Sequence, residues 1–528
     1  MFILQNISYV HPDKELLFDK LDLAVNKHDK IALTGNNGTG KSTLLKIIAG
    51  ELQPSAGAVK VDSKAYYVPQ HFGQYNRLTI AQALQIHEKL QALKEILDGN
   101  VTENNLSLLE DDWTLEERCN EALENWQLKN LDLMQKMETL SGGQKTKVFL
   151  AGISIHQRDL VLLDEPSNHL DTAGRQLLYN YLQASSANLI VVSHDRNLLN
   201  LLDTVCELSP TGITTYGGNY DFYAQQKQME TDALNEDLVN TEKALRKAKE
   251  KARETLERQQ RLDSRGRKKQ EKAGVARIMM NTLRNQAENS TSKIKSVHTE
   301  KISGISQELQ ELRSALPAVD KMKIGFDKSA LHSGKILFTA SAINYGYNDV
   351  LLWKHNLSFQ IVSGERIVLK GLNGSGKTTL IKIITGKLAP KTGVVYRAEN
   401  KSIYIDQDYS LIDNSLKVYE QAEQFNSGTL QEHEIKIRLS RFLFSKEDWE
   451  KRCRTLSGGE KMRLMLCCLT IANQSPDIMF LDEPTNNLDI QNIEILTSAV
   501  NEYRGTLIVV SHDEYFLEQV NMQREIEL

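Results

Sequence analysis

Short apolar runs alternate along this chain with longer stretches whose apolar positions recur every three or four residues. Ile31-Ala-Leu-Thr34, Leu160-Val-Leu-Leu163, Val191-Val-Ser193, Ile478-Met-Phe-Leu481 and Val509-Val-Ser511 have the length and β-branched content of buried strands. Leu44-Leu-Lys-Ile-Ile48 reads as the start of a helix, and Glu88–Leu97 has a helical period. Strands alternating with helices predict an α/β core with a mainly parallel sheet. A different pattern fills the middle of the chain. Leu234, Leu238, Leu245, Ala248 and Ala252 keep an approximate heptad, and Ile302, Ile305, Leu309, Leu312 and Leu316 a strict 3-4 spacing. Two such runs separated by a basic stretch predict an antiparallel helical hairpin, on the order of 60 Å long at ~1.5 Å per residue. No apolar run approaches the ~20 residues that cross a bilayer, so the chain cannot be a membrane channel by itself.

The α/β pattern occurs twice. Gly35-Asn-Asn-Gly-Thr-Gly-Lys41-Ser42 returns as Gly371-Leu-Asn-Gly-Ser-Gly-Lys377-Thr378, and Tyr67-Val-Pro-Gln70 as Tyr404-Ile-Asp-Gln407. Leu140-Ser-Gly-Gly-Gln144 returns as Leu456-Ser-Gly-Gly-Glu460, Asp164-Glu165-Pro as Asp482-Glu483-Pro, and Ser193-His194-Asp as Ser511-His512-Asp. A repeat of about 200 residues is a whole domain rather than a solenoid unit. The spacing shortens by roughly 20 residues between Gln70 and Leu140 of the first copy and the matching segment of the second, which locates an insertion within 84–118. The expected domains are therefore 1–222, a hairpin linker at 223–318, a connector at 319–336, and a second copy at 337–528.

Composition changes this picture in two places. Residues 241–300 carry 17 Lys/Arg and 8 Asp/Glu, a net of +9 in a chain whose net charge is -5. That asymmetry points to a polyanionic partner at the hairpin. Arg258, Arg261, Arg265, Arg267, Lys268, Lys269, Lys272 and Arg277 lie near the bend and are the candidate RNA-binding residues. No Phe, Trp or Tyr occurs from Ala224 to Gly325, which favours phosphate and shape contact over base stacking. The insertion, by contrast, is acidic: Glu88–Arg118 holds three basic and nine acidic residues, and reads as an enlarged helical subdomain or an arm for a protein partner. Five cysteines without CxxC spacing, and an N-terminus without a charged leader or cleavage site, favour a reducing, cytoplasmic setting.

The glycine-rich segments carry the clearest chemistry. Both fit G-x-x-x-x-G-K-[ST] between a strand and a helix. Glycines there let the backbone wrap an anion and aim successive N–H groups at it, and the helix N-terminus adds a favourable partial charge. Gly35, Asn36, Asn37, Gly38, Thr39, Gly40, Lys41, Ser42 and Thr43 form the first phosphate cradle; Gly371, Leu372, Asn373, Gly374, Ser375, Gly376, Lys377, Thr378 and Thr379 form the second. Lys41 and Lys377 suit the β- and γ-phosphates, and Ser42 and Thr378 a Mg²⁺ ion.

The ordered set of motifs resembles two ATP-binding-cassette domains in one chain, covering nearly all of 1–218 and 337–528. The resemblance implies ATP and Mg²⁺ as ligands and ATP hydrolysis as the activity. It implies Asp164 and Asp482 as Mg²⁺ ligands with Ser42 and Thr378, and Glu165 and Glu483 as residues that polarise the attacking water. Gln70 and Gln407 are implied as sensors of metal and water, and His194 and His512 as contacts of the γ-phosphate. In the family the domains pair head to tail. Ser457, Gly458, Gly459 and Glu460 would complete the first site, and Ser141, Gly142, Gly143 and Gln144 the second, within a single monomer. His11 and Tyr347 occupy the position of the adenine-stacking ring; His11 departs from the commoner Tyr.

Paired cassettes joined by a long charged hairpin, with no membrane domain, resemble the ABC-F family. Ala273-Gly-Val-Ala-Arg277 and Gln286-Ala-Glu-Asn-Ser290 are similar to its linker motifs. That resemblance implies a soluble protein that enters the tRNA exit site of the ribosome and points its linker tip at the peptidyl-transferase centre. Its partners there would be ribosomal RNA and tRNA, and its role that of a translation factor or an antibiotic-resistance protection protein. The rival expectations are the energising subunit of a membrane exporter, which gives no reason for the +9 hairpin, and a DNA-acting ATPase, which would carry its hairpin inside a cassette.

Overall fold

The computed structural model describes residues 2–12, 16–129, 131–209, 212–272, 277–315, 332, 334–347, 350–372, 374–428, 430–472 and 475–528. Asn373, residues 273–276, and residues 316–331 and 333, which include most of the 319–336 connector, lie outside that set, as do the side chains of Arg267, Lys268, Lys269, Lys272, Arg277 and 286–290.

The chain divides into two compact units, one formed by residues 1–223 and 322–528, the other by 224–321. In the first cassette a sheet runs in the order Tyr66–Val68, Leu160–Asp164, Asn188–Val192, Lys30–Thr34, Thr204–Ser209, Gly212–Gly217. The first five of these strands are parallel, and the last pairs antiparallel. Leu160–Asp164 and Asn188–Val192 are buried along their whole length, as the apolar runs within them, 160–163 and 189–192, require of strands covered on both faces. The second cassette repeats the order with Ser402–Ile405, Ile478–Asp482, Thr506–Val510, Arg366–Lys370 and Arg524–Glu527, all parallel. A three-stranded antiparallel sheet accompanies each: Leu16–Val25, Phe2–Val10 and Ala56–Val61 in the first, Leu357–Val362, Ile336–Asn344 and Thr392–Arg397 in the second. Its apolar face joins the glycine-loop helix in one core, where Phe2, Phe18, Leu44 and Ile48 meet Leu162 and Ile190.

This topology brings the repeated motifs together. The strands ending at Thr34, Asp164 and Val192 are neighbours, with Ala32 beside Val191 and Asp164 beside Val192. Their carboxyl ends therefore set Gly35, Asp164-Glu165 and His194 along one sheet edge, where ligands of open α/β sheets bind.

The acidic insertion folds as two helices, His87–Leu97 and Glu103–Leu109, ahead of Leu115–Asn125. Asn105 is buried and ties them, donating to Glu95 Oε2 at 2.9 Å and to the Asn100 carbonyl at 3.1 Å.

The hairpin consists of helices Tyr220–Lys272 and Arg277–Ala315, 53 and 39 residues long. The first begins earlier than its charged sequence suggests, because Asn219 Oδ1 accepts the Phe222 N–H and caps it within an aromatic cluster of Tyr216, Tyr220 and Tyr223. Within the second unit Ala252 and Leu309 are buried, Leu238, Leu245, Ile302 and Ile305 are half-buried, and Arg313 pairs with Glu242 at 2.6 Å. No described helix is long and apolar enough to cross a membrane.

Candidate ATP sites

Each glycine-rich loop runs into a helix, Lys41–Ile48 and Lys377–Ile384, whose N-cap glycine is left-handed (Gly40 φ 95°, Gly376 φ 96°). A side chain there would also run into Leu17 and Phe18 in the first cassette and Leu352 and Trp353 in the second, so both dihedral and space demand glycine. Lys41 Nζ folds back to the Gly35 carbonyl at 2.6 Å, and Lys377 Nζ to that of Gly371 at 2.7 Å. Burial lowers the pKa of both ammonium groups. Trp353 Nε1 donates to the Ser375 carbonyl at 2.9 Å and braces the second loop.

Two clefts form between the cassettes. The first, about 530 Å³, is lined by His11, Asn37, Gly38, Lys41, Ser42, Thr43, Gln70, Asp164, Glu165 and His194, with Ser457 and Gly458 from the second cassette. The second, about 290 Å³, is lined by Gly374, Gln407, Glu483 and His512, with Ser141, Gly142 and Gly143 from the first. Gln407 borders both clefts. The cassettes are linked across them: Asn37 N donates to Asp489 Oδ2 at 3.1 Å, and Arg196 pairs with Glu494 at 2.8 Å.

Some of the expected residues stand apart from these linings. Gln144 and Glu460 turn back and close capping boxes with Ser141 and Ser457, so their side chains fix the helix starts that present the glycines. Tyr347 is more than half exposed, with its hydroxyl 3.3 Å from Thr379 Oγ1. Two further residues touch the acidic positions: Tyr67 donates to Asp164 Oδ2 at 3.1 Å, and Tyr404 to Asp482 Oδ2 at 2.6 Å. Their signal was a tyrosine repeated three residues before each glutamine.

Glu165 and Glu483 sit at left-handed backbone angles (φ 51° and 49°), a strained conformation for glutamate that is kept in both copies. Burial, with Asp164 adding to it, pushes the Glu165 carboxyl up to about 8; burial takes Glu483 up to about 7. Burial also pulls His194 down to about 3, and His512 down to about 4 with Lys377 contributing. Glu165 Oε1 and His194 Nε2, 3.2 Å apart, thus face each other without the opposite charges of an ion pair.

The residues fit ATP with Mg²⁺. Asp164 Oδ1 and His194 Nδ1 are buried beside the first cleft with no hydrogen-bond partner, near Lys41 and the glycine loop, and Ser375 Oγ is likewise unpaired in the second glycine loop. Unpaired polar atoms in such a setting are costly unless a ligand satisfies them.

Fold and site together define a twin-cassette nucleotide-binding protein. The ABC transporter family profile matches residues 18–168 and 354–486. The YdiF protein of Bacillus subtilis is 31% identical over 96% of this chain and 77% of its own, and ABC transporter F family member 5 of Arabidopsis thaliana is 30% identical over 99% and 74%. The chain belongs to the F family of ATP-binding-cassette proteins and is an ATPase. In fold it is similar to an archaeal ribosome recycling factor solved in complex with a ribosomal stalk protein, with a TM-score of 0.60 and 19% identity over 99% of this chain and 87% of that one.

Proposed function

We propose that this chain is a cytoplasmic, ribosome-associated ATPase that acts as a monomer. ATP draws its two cassettes together, and hydrolysis lets them part. In the closed form the hairpin enters the tRNA exit site and presses its basic end against ribosomal RNA near the peptidyl-transferase centre, as a translation factor or as a protector against drugs bound there.

The observation that carries this is the charge of the hairpin. Arg246 and Arg253 are neutralised along their own helix by Glu250 and Glu257 at 3.2 and 3.0 Å. Arg258, Arg261 and Arg265 are exposed and, among the described residues, have no ion pair. A run of unpaired guanidinium groups fits a phosphate backbone. A structural neighbour named as a ribosome recycling factor supports the same partner.

In the two clefts, Ser42 with Asp164 and Gln70 would hold one Mg²⁺, and Thr378 with Asp482 and Gln407 the other. Bound Mg²⁺ neutralises charge on the β- and γ-phosphates. Lys41, Lys377 and the loop amides bind and orient the phosphates, while Ser141–Gly143 and Ser457–Gly459 close over them from the opposite cassette. Glu165 and Glu483 are placed to orient water and take its proton, and His194 and His512 to fix the terminal phosphate. Tyr67 and Tyr404 aim the acidic ligands. Changing both to Phe is expected to raise the Mg²⁺ concentration for half-maximal turnover roughly tenfold, as loss of an outer-shell hydrogen bond does. An unchanged Mg²⁺ titration would remove the tyrosines from this role.

Fractionation tests the assignment. With a slowly hydrolysed ATP analogue the tagged chain should migrate with ribosomes through a sucrose gradient, and return to the top with ADP. Migration with membranes instead would favour an exporter subunit and overturn the proposal. Growth of a deletion strain with peptidyl-transferase drugs should separate the two candidate roles.

A further inference from the structure

The two copies differ where each reaches into the other's cleft. Helix Thr172–Ala184, which follows Asp171, begins with Thr172 and carries Arg175 one turn later. The matching positions after Asp489 are Ile490 and Ile493. Thr172 Oγ1 stands 3.3 Å from His512 Nδ1, and Arg175 Nη1 donates to the His512 carbonyl at 3.2 Å. Lys377 Nζ lies 3.4 Å from the other ring nitrogen, Nε2. Glu483 Oε1 also faces Nε2, at 3.5 Å, but the Lys377 ammonium is the nearer group and only donates, so Nε2 accepts and Nδ1 carries the proton toward Thr172.

Arg175 also lies 3.6 Å from Asp195, the residue after His194, which Tyr179 holds through a 2.6 Å hydrogen bond. The Arg175 side chain is 13% exposed. One largely buried guanidinium therefore touches the histidine loops of both clefts. The first cleft lacks these two contacts, and its histidine loop is tied to the second cassette only beyond the ring, where Arg196 pairs with Glu494. Isoleucine side chains cannot donate or accept, and His194 Nδ1 is buried without a partner.

We propose that Thr172 and Arg175 are positioning residues of the second ATP site, supplied by the first cassette, and that this one-sided clasp makes the two sites unequal. The clasp holds the His512 ring with an unprotonated Nε2 facing the glycine loop. Through Arg175 it links the His512 loop to Asp195, so the state of the second site reaches the first. The inference rests on the assignment of His512 to the terminal phosphate given above.

Two readouts test it. In the nucleotide-free chain, long-range ¹H–¹⁵N spectra of histidine-labelled protein, assigned with His512→Gln and His194→Gln, should show His512 as the Nδ1–H tautomer. Thr172→Val should turn it into a mixture, Thr172→Ser should restore it, and His194 should not move. Turnover with one site silenced gives the second readout. Thr172→Val with Arg175→Met, placed in a Glu165→Gln chain, should lower kcat about tenfold, the size of one lost polar contact, with KM for ATP nearly unchanged. Arg175→Lys alone should retain most of the rate. The same pair in a Glu483→Gln chain should lower kcat far less, since the first site meets Arg175 only through Asp195. An unmoved His512 signal, equal losses in both backgrounds, or no loss in either would overturn the clasp. Failure to bind ribosomes would not alter these results, so the two proposals fail separately.

Discussion

Replacing Glu165 and Glu483 together by glutamine is expected to cut ATP turnover by roughly a hundredfold or more, the contribution of a positioned base, while ATP still binds. Glutamine keeps the shape of each side chain and its place at the strand end, so the glycine loops, Lys41, Lys377 and the opposing signatures remain able to hold nucleotide. What it removes is a group that can take a proton. Both glutamates sit at left-handed backbone angles directly after an aspartate, a costly arrangement that a packing role does not explain. Burial holds their carboxyls up near neutrality, so the charge each carries depends on the cations that enter the cleft. The trapped chain should then stay with ribosomes through a gradient run in ATP, whereas the native chain is released. Equilibrium dialysis checks that nucleotide is bound. A doubly substituted chain that binds ATP and stays free of ribosomes would sink the assigned partner and leave the ATPase standing.

The parts of the site that were legible in the sequence are those whose chemistry is tied to spacing along the chain. A glycine that must take φ near 95° before a lysine, an apolar run that ends in Asp-Glu, and a Ser-Gly-Gly at a helix start each leave a local signature, and the repeat printed each one twice. Thr172 and Arg175 left none. They belong to the surface of a helix whose partner lies 340 and 337 residues away, and in a single sequence only their contrast with Ile490 and Ile493 singles them out. Gln144 and Glu460 show the converse. Their motif marks them as nucleotide contacts, yet the side chain of the third helical residue also suits the N-cap amide, and that nearer bond is the one formed. The first hairpin helix starts inside an aromatic cluster rather than at the charged stretch, because Asn219 caps it there. Composition cannot locate a cap.

Neutralising the basic end of the first hairpin helix is expected to have the other large effect. The seven residues Arg258, Arg261, Arg265, Arg267, Lys268, Lys269 and Lys272, changed to glutamine, leave the helix intact because glutamine is nearly as good a helix former. The hairpin's +9 across 241–300 falls to +2. Phosphate contacts act additively through released counterions, so each lost contact should reduce the slope of log affinity against log salt by about one. Affinity for ribosomes near physiological salt should fall by at least a hundredfold, on the scale set by a comparable number of phosphate contacts. ATP turnover without ribosomes should be unchanged, since no residue of either cleft is altered. Arg246 and Arg253, already paired with Glu250 and Glu257, serve as the internal control. Their replacement removes two charges from the same helix that already have carboxylate partners, and it should cost less per residue. If the two sets weakened docking equally, the hairpin would be acting through its overall charge. If neither did, ribosomal RNA would not be what the basic end meets.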